Sequence, residues 1–293
     1  MQVFVLYAVV VLIWGSTWAA IPYQLGVVAE EVSVAYRFAL GSAALFAYAA
    51  ITGRRLSIPL HQYRMVIVTG SLMFSANYLF TYYSINYVTS GLVAVTFSLL
   101  VLCNAFFERL FFRIPMEPRL MLASMFGVSG IACLFWPEVT RVDLADRTVF
   151  GLILALIAVV LASLGNMGAV VNSSRKLPVI AMNAHGMAWG ALTSTIVALI
   201  LGREFSFSFE PGYLISLGYL AIFGSAVAFG CYLALLRTIG SARAAYTTVL
   251  FPIIALLIST FVENYRWSGL AFTGILLIIA GNWLALTRIR RNV

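Results

Sequence analysis

The chain has 293 residues, of which 62% are hydrophobic and 10% are charged, whereas about 25% of the residues in a soluble domain are charged. A soluble core cannot absorb this much apolar surface, so the composition excludes a soluble globular protein and indicates an integral membrane protein. The formal net charge of +8 does not indicate a nucleic-acid partner, because the basic residues concentrate in alternate loops between apolar stretches.

Ten apolar stretches follow one another, each long enough to cross the roughly 30 Å hydrocarbon core of a bilayer as a helix. They are too long and too uniformly apolar for transmembrane β-strands, which alternate over about ten residues. The predicted spans are 3–24, 32–52, 64–86, 90–111, 119–137, 148–171, 181–201, 212–236, 242–262 and 268–287. The predicted fold class is an all-α integral membrane protein with ten transmembrane helices.

The second half of the chain repeats the first at a nearly constant offset. Positions matched at offsets of 149 to 151 are Gly41 with Gly190, Tyr63 with Tyr213, Ser75 with Ser225, Tyr82 with Tyr232, Ser90 with Ser241, and Gly130 with Gly281. Because each half has five spans, an odd number, two homologous halves would lie in opposite orientations, as in many secondary transporters. We predict a five-helix repeat over 1–145 and a second, inverted five-helix repeat over 146–293, arranged around a central cavity.

The distribution of basic residues predicts the orientation of the chain. With the N-terminus in the cytoplasm, thirteen Lys and Arg residues fall on the cytoplasmic side and four on the other side. This bias follows the positive-inside rule and places both termini in the cytoplasm. The remaining basic residue, Arg37, lies just inside the second span and is expected to extend to the surface or to pair with another group.

The reactive residues do not form a catalytic or metal-binding pattern. Cys103, Cys133 and Cys231 lie inside predicted spans and have neither a disulfide framework nor a metal-ligand spacing. The two histidines, His61 and His185, are far apart, and a His-Glu motif is missing from the sequence. We therefore predict no enzyme activity, no metal and no cofactor. A polar filter or a charged ring, which would indicate a channel, is not evident either.

Polar and aromatic residues inside the spans are the candidates for function, because an unpaired polar group facing lipid costs several kcal/mol. Trp14 lies about 16 Å into the first span, too deep for the interfacial aromatic belt. Pro252 removes a backbone hydrogen bond in the ninth span and is a candidate hinge. The candidate substrate-binding residues are Trp14, Trp18, Asn77, Tyr78, Thr81, Tyr82, Thr96, Asn166, Tyr232, Tyr246 and Thr247. The alternative for each of them is packing or hydrogen bonding between helices.

The duplicated ten-span layout, Trp14-Gly15-Ser16 in the first span, and Pro252 followed by Glu263 resemble the drug/metabolite transporter superfamily. Within it, the chain is most similar to EamA-type members and to bacterial exporters of aromatic and other neutral amino acids. The resemblance implies two five-helix halves around a cavity in a bacterial inner membrane, with the fifth and tenth spans at the periphery. One departure is that Val101, and not a proline, stands at the position equivalent to Pro252.

The scarcity of charged residues inside the predicted spans limits which molecules the protein can transport. No Asp or Glu lies in the middle of a span, so the midplane carboxylate of many proton-coupled pumps is missing, although Glu263 or His185 could couple protons. We also expect no basic residue in the cavity, which disfavours sugar phosphates and other dianions. The sequence thus predicts export of neutral, mainly aromatic, amino acids by facilitated diffusion or exchange. Nucleosides, drugs or other amphipathic metabolites are alternative cargoes, and the oligomeric state stays open, with a monomer among the alternatives.

Overall fold

The computed structural model describes residues 2–134, 136, 147–262 and 269–286. Throughout these residues the regular structure is helical, with short turns between the helices. The helices are α1 (Gln2–Ala20), α2 (Glu30–Thr52), α3 (Leu60–Ser71), α4 (Asn77–Ile85), α5 (Ser90–Phe97), α6 (Leu100–Phe112), α7 (Pro118–Leu134), α8 (Arg147–Ser174), α9 (Val179–Ile200), α10 (Pro211–Ala221), α11 (Ala228–Ile239), α12 (Ser241–Ala245), α13 (Thr247–Val262) and α14 (Gly269–Leu286).

Five helical segments of the described chain are long and apolar enough to cross a membrane. They are Gln2–Gln24, Glu30–Thr52, Leu60–Ile85, Arg147–Ser174 and Pro211–Ile239. Shorter apolar helices cover Pro118–Cys133 and Gly269–Ala285. The all-helical membrane class is therefore confirmed, while the count of ten spans stays a prediction.

Two predicted spans are not single helices. The span predicted over 90–111 consists of α5 and α6, which meet at a turn over 98–99. The span predicted over 242–262 consists of α12 and α13, which meet at Tyr246. Ser98 lies in the first break and Thr247 follows the second. The same predicted span is therefore interrupted in each half, three to four residues apart at the offset of 151 that relates Ser90 to Ser241.

A π-helical turn interrupts one long helix in each half. One turn covers Leu72–Ala76 between α3 and α4, and the other covers Ile222–Val227 between α10 and α11. The two turns begin 150 positions apart, which is the offset of the sequence repeat. Because π-turns are rare and occur frequently at functional sites, their recurrence supports the duplication and directs attention to the side chains around them.

Glycines allow the closest helix contacts. A Cβ atom on Gly70 of α3 would lie 2.4 Å from the Gly186 carbonyl oxygen of α9, and one on Gly190 would lie 2.5 Å from the Phe74 Cβ. Likewise, a Cβ on Gly130 of α7 would lie 2.6 Å from the Gly274 carbonyl oxygen of α14. Small residues at these contacts let the backbones approach each other. Gly274 therefore has a packing role within the chain.

Contacts between the halves form the centre of the molecule. Helix α1 packs against α11 and α13, α2 packs against α9 and the second π-turn, and α4 packs against α8. Helices α7 and α14 pack against each other and contribute no lining to the central cavity. The boundary predicted near residue 145 lies outside the described residues.

Candidate substrate cavity

A cavity opens where helices of the two halves meet. The centre of a water molecule can occupy about 80 Å³ of it, and all the space between atoms, including open solvent at its mouth, amounts to about 650 Å³. Its lining residues are Trp14, Thr17, Trp18, Ile21, Arg37, Met73, Asn77, Tyr78, Thr81, Phe97, Leu100, Ala162, Asn166, Phe229, Tyr232, Thr248 and Phe251. Seven of these side chains are aromatic, so a bound molecule meets mainly apolar and π surfaces, with a few polar groups between them.

Trp14 lies among aromatic rings of the second half. Its ring centroid is 4.7 Å from that of Phe229, 5.1 Å from that of Tyr232 and 5.7 Å from that of Phe251. Its indole N–H donates to the Gly224 carbonyl oxygen at 2.9 Å, inside the second π-turn. Gly15, the next residue, lets α1 approach α13, because a Cβ there would lie 2.5 Å from the Ile254 Cβ. Close packing thus fixes the position of the indole.

Trp18 follows Trp14 by one helical turn and lines the same cavity. It is buried, and its ring lies 5.8 Å from the ring of Phe97 in a T-shaped arrangement. The two tryptophans therefore form one aromatic wall along α1, because residues four apart share a helix face.

Polar groups from both halves reach the cavity. Asn77, Tyr78 and Thr81 come from α4, Asn166 comes from α8, and Tyr232 comes from α11. Two of these side chains carry a buried atom without a hydrogen-bond partner among the described residues, namely Asn77 Oδ1 and the Tyr232 hydroxyl. Buried polar groups are normally paired, so Asn77 Oδ1 is available to a ligand. The Tyr232 hydroxyl lies beside the side chains of Asn166 and Asn104, and its own O–H is available to donate.

A second polar cluster extends from the cavity along α6. Asn166 Nδ2 donates to Asn104 Oδ1 at 3.3 Å, and Ser163 Oγ donates to the same oxygen at 2.7 Å. Asn104 Nδ2 in turn donates to the Ser241 carbonyl oxygen at 3.1 Å. Glu108 accepts hydrogen bonds from the Ser241 amide and hydroxyl. These bonds tie α6, α8 and α12 together at one end of the cavity.

Seven of the eleven predicted substrate-binding residues lie on the cavity: Trp14, Trp18, Asn77, Tyr78, Thr81, Asn166 and Tyr232. Whether they contact substrate stays a prediction.

The structure places the other four candidates away from the lining. The Tyr82 hydroxyl donates to Gln24 Oε1 at 2.8 Å, and the Tyr246 hydroxyl donates to Ser124 Oγ at 3.2 Å. Thr96 and Thr247 donate to carbonyl oxygens within their own local turns. Each of these hydroxyls has a partner inside the protein.

Arg37 corrects the prediction that no basic residue lies in the cavity. It does not extend to the surface, because only 1% of its area is exposed, and it lines the cavity. Its guanidinium carbon lies 4.5 Å from the centre of the Tyr78 ring, and its Nε donates to Ser225 Oγ at 3.0 Å. The Tyr78 ring and the Ser225 hydroxyl bind the guanidinium inside the protein, so the side chain does not extend to the membrane surface.

The remaining lining residues give weak signals or none in the sequence. Thr17 and Thr248 resemble any threonine that donates to a carbonyl oxygen three residues earlier, as both do here. Phe97, Phe229 and Phe251 are indistinguishable in sequence from phenylalanines that face lipid. A residue spacing of three from Trp14 to Thr17 was the one pattern that could have indicated a lining position.

The two residues proposed for proton coupling have different outcomes. His185 lies outside the cavity lining, with Nδ1 2.8 Å from the Tyr63 hydroxyl and Nε2 3.0 Å from the Leu56 carbonyl oxygen. Both ring nitrogens therefore contact other parts of the protein, Tyr63 on α3 and Leu56 in the loop before it, and proton coupling through His185 stays a prediction. Glu263 lies outside the described residues. Pro252 lies inside α13, and its role as a hinge stays a prediction.

The comparison with known proteins decides the family. The sequence profile of the EamA-like transporter family matches the chain twice, over residues 2–136 and 149–287. The chain belongs to the EamA-like transporter family. The double match confirms the resemblance stated above and agrees with the sequence repeat.

The chain is similar to several bacterial proteins, two of which are named as transporters. The chain is 27% identical over 251 residues to the uncharacterized inner membrane transporter YedA of Escherichia coli (strain K12), covering 85% of this chain and 79% of YedA. It is 22% identical to the protein PagO of Salmonella typhimurium, covering 99% of this chain and 93% of PagO. It is also 21% identical to the uncharacterized transporter YoaV of Bacillus subtilis, covering 97% of each chain.

A solved crystal structure shares the fold, with a TM-score of 0.78 at 18% identity, covering 97% of this chain and 96% of that one. Together, the apolar helices and the inner-membrane relative support a multi-pass transporter of a bacterial inner membrane.

Proposed function

We propose that this EamA-family transporter exports neutral amino acids with aromatic or other hydrophobic side chains from the cytoplasm by alternating access. The observation that carries the proposal is the cavity itself, which combines seven aromatic side chains with a few polar groups. An aromatic ring gains favourable contacts from such walls. Ligand sites commonly have this composition, with mainly apolar and aromatic walls and a small number of placed polar groups.

The unpaired polar atoms support a zwitterionic cargo. Asn77 Oδ1 is a hydrogen-bond acceptor without a partner among the described residues, and it suits an ammonium group. The Tyr232 hydroxyl, also unpaired there, can donate to an oxygen of the cargo. A cargo that pairs these atoms relieves the cost of burying them.

Alternating access follows from the origin of the cavity walls. Trp14 and Trp18 come from the first half, whereas Phe229, Tyr232 and Phe251 come from the second half. A rocking motion of one half against the other would therefore change the shape and the accessibility of the site together. The cytoplasmic location of both termini, and outward transport as the physiological direction, are parts of the same proposal.

The proposed transport needs no coupling ion. Within the described part of the chain, no carboxylate lines the cavity. The buried Glu31 lies outside the lining, where its Oε1 is bound by Tyr83 and Arg203 and its Oε2 has no hydrogen-bond partner among the described residues. A carrier of this kind equilibrates its cargo or exchanges one molecule for another. A requirement for a pH gradient would contradict this part of the proposal.

Counterflow in proteoliposomes that contain only this protein tests the function. Vesicles would be loaded with unlabelled phenylalanine, methionine, threonine, uridine or a quaternary cation, and the entry of labelled phenylalanine would be followed. We expect acceleration by internal phenylalanine and methionine without any ion gradient. Flux of labelled uridine or of the cation, with no entry of phenylalanine, would contradict the amino-acid assignment and favour another amphipathic cargo.

A further inference from the structure

Arg37 is the one cationic side chain on the cavity among the described residues. It lies seven residues after the start of α2 at Glu30, which is about 10 Å along the helix axis. The side chain turns into the protein, where Tyr78 and Phe38 lie beside the guanidinium at 4.5 and 5.3 Å. A permanent positive charge therefore stands within the wall of the cavity, because an arginine does not lose its proton in proteins.

This charge lacks an internal counter-ion in the described part of the chain. The ion pairs found there are Arg203 with Glu31 and Arg243 with Glu117, and both of those arginines are partly exposed. Arg37 is more deeply buried than either, and its Nη1 atom has no hydrogen-bond partner among the described residues. An unpaired buried charge is costly, so the site is electrostatically incomplete without an anion.

Structural contacts with Ser225, Tyr82 and Tyr78 use part of the guanidinium, and they leave Nη1 without a partner among the described residues. The link between α2 and the second π-turn uses Nε, which donates to Ser225, and the terminal nitrogens are not needed for that bond. A neutral amide could make the same bond without burying a charge. The planar guanidinium of an arginine can instead donate two parallel hydrogen bonds to the two oxygens of a carboxylate.

The sequence repeat shows that the charge is present in one half only. At the offset of 149 that relates Gly41 to Gly190, Arg37 corresponds to Gly186. A Cβ on Gly186 would lie 2.9 Å from the Phe74 ring, so a larger residue there would require that ring to shift. Among the described residues, the cavity lining consequently carries one positive charge, which suits a cargo with one anionic group.

We infer that Arg37 binds the carboxylate of the cargo, so that the transported molecules are monocarboxylates with an apolar, preferably aromatic, body. This inference rests on the proposed transport function and deepens it by naming the group that is recognised. The α-amino group contributes to binding, but the carboxylate is the required feature.

Binding to the purified protein tests the inference through matched acids and amides. The probes are 3-phenylpropionate with 3-phenylpropionamide, and phenylalanine with phenylalaninamide. The readout is the rise in thermal unfolding temperature, which reports affinity because a ligand that binds only the folded state stabilises it. We expect each acid to bind roughly 10- to 100-fold more tightly than its amide, since a charge-assisted pair is lost.

Variants assign the preference to Arg37. Arg37→Gln keeps a side-chain donor for Ser225 but removes the charge, and we expect it to bind acids and amides equally. Arg37→Lys keeps the positive charge but lacks the planar guanidinium, and it should retain a reduced preference for acids over amides. The matched control is Arg237→Gln, which removes one exposed arginine of α11 outside the cavity, and it should keep the wild-type preference.

The outcomes separate this inference from the proposed function. Equal binding of acids and amides by the wild-type protein would overturn the inference without any variant, and so would an unchanged acid preference in Arg37→Gln. Phenylalanine counterflow that persists alongside either result would leave the proposed function standing. Conversely, Arg37-dependent binding of 3-phenylpropionate without phenylalanine counterflow would support the inference and reject the amino-acid proposal.

Discussion

At the scale of single residues, the environment of each polar side chain separates cavity residues from packing residues. Tyr82 and Tyr232 occupy equivalent positions in the two halves and are both buried. The Tyr82 hydroxyl donates to Gln24 and lies outside the cavity lining, whereas Tyr232 lines the cavity and its hydroxyl donates to no described residue. Equivalent positions in a duplicated chain thus have different roles, because the partner helices differ in sequence.

Trp14 provides the prediction at this scale. Replacement by Ala removes a ring of the cavity wall that an aromatic cargo would contact, and an aromatic pair contributes about 0.5–1.5 kcal/mol beyond its buried area. We expect the half-saturation concentration for cargo in counterflow to rise by roughly tenfold or more, since tenfold corresponds to about 1.4 kcal/mol.

The control for Trp14 is Trp189→Ala. Trp189 is a partly buried tryptophan on α9 that contacts Tyr63 and does not line the cavity. It should leave the half-saturation concentration within about twofold of wild type, although it can lower stability. Equal effects of the two substitutions on cargo affinity would mean that the α1 wall does not contact the cargo.

At the scale of helices, glycine contacts bring the two halves together. Gly190 of α9 lies against the first π-turn, where an added Cβ would lie 2.5 Å from the Phe74 Cβ and 2.8 Å from its carbonyl oxygen. Because one of these neighbours is backbone, side-chain rotation alone cannot relieve the clash. The contact position therefore depends on the absence of a side chain.

Substitution of Gly190 tests this contact. We expect Gly190→Ala to destabilise the protein by about 1–3 kcal/mol through overpacking, seen as a lower midpoint of thermal unfolding in detergent. The matched control is Gly218→Ala in α10, where an added Cβ meets nothing within 4 Å. That control should change stability by at most about 1 kcal/mol, and a comparable loss in both variants would contradict the packing argument.

At the scale of the whole molecule, both halves match the same family and each contains a π-turn at the repeat offset. If the halves are inverted, the loop between α2 and α3 and its counterpart between α9 and α10 lie on opposite sides of the membrane. The charge bias assigns the first loop, with Arg54 and Arg55, to the cytoplasm.

Cysteine labelling tests that topology. Ser57 and Glu204 are exposed in the two loops, and each would be changed to Cys in a background in which the three native cysteines are Ala. A membrane-impermeant maleimide should label the Glu204→Cys protein in intact cells, and the Ser57→Cys protein only after permeabilisation. Labelling of both in intact cells would exclude the inverted arrangement of these loops.

Much of the helical layout was predictable because it depends on local composition. The spans predicted over 3–24, 32–52 and 148–171 correspond closely to Gln2–Gln24, Glu30–Thr52 and Arg147–Ser174. The interruptions were not predictable, since a π-turn or a break at residues 98–99 leaves the average hydropathy of a span unchanged. Such local rearrangements depend on hydrogen bonds to other helices, as the bond from Trp14 to Gly224 illustrates.

The sequence alone determined the membrane class and the internal repeat, because both follow from the amount and the periodic recurrence of apolar residues. Only the tertiary structure decided which faces of the helices meet the cavity, because a span that is apolar all round carries no amphipathic signal for its rotation. Arg37 shows the difference. Its position near the start of the second span would allow the side chain to extend to the membrane surface. Packing against Tyr78 and the hydrogen bond to Ser225 instead place its charge at the cavity.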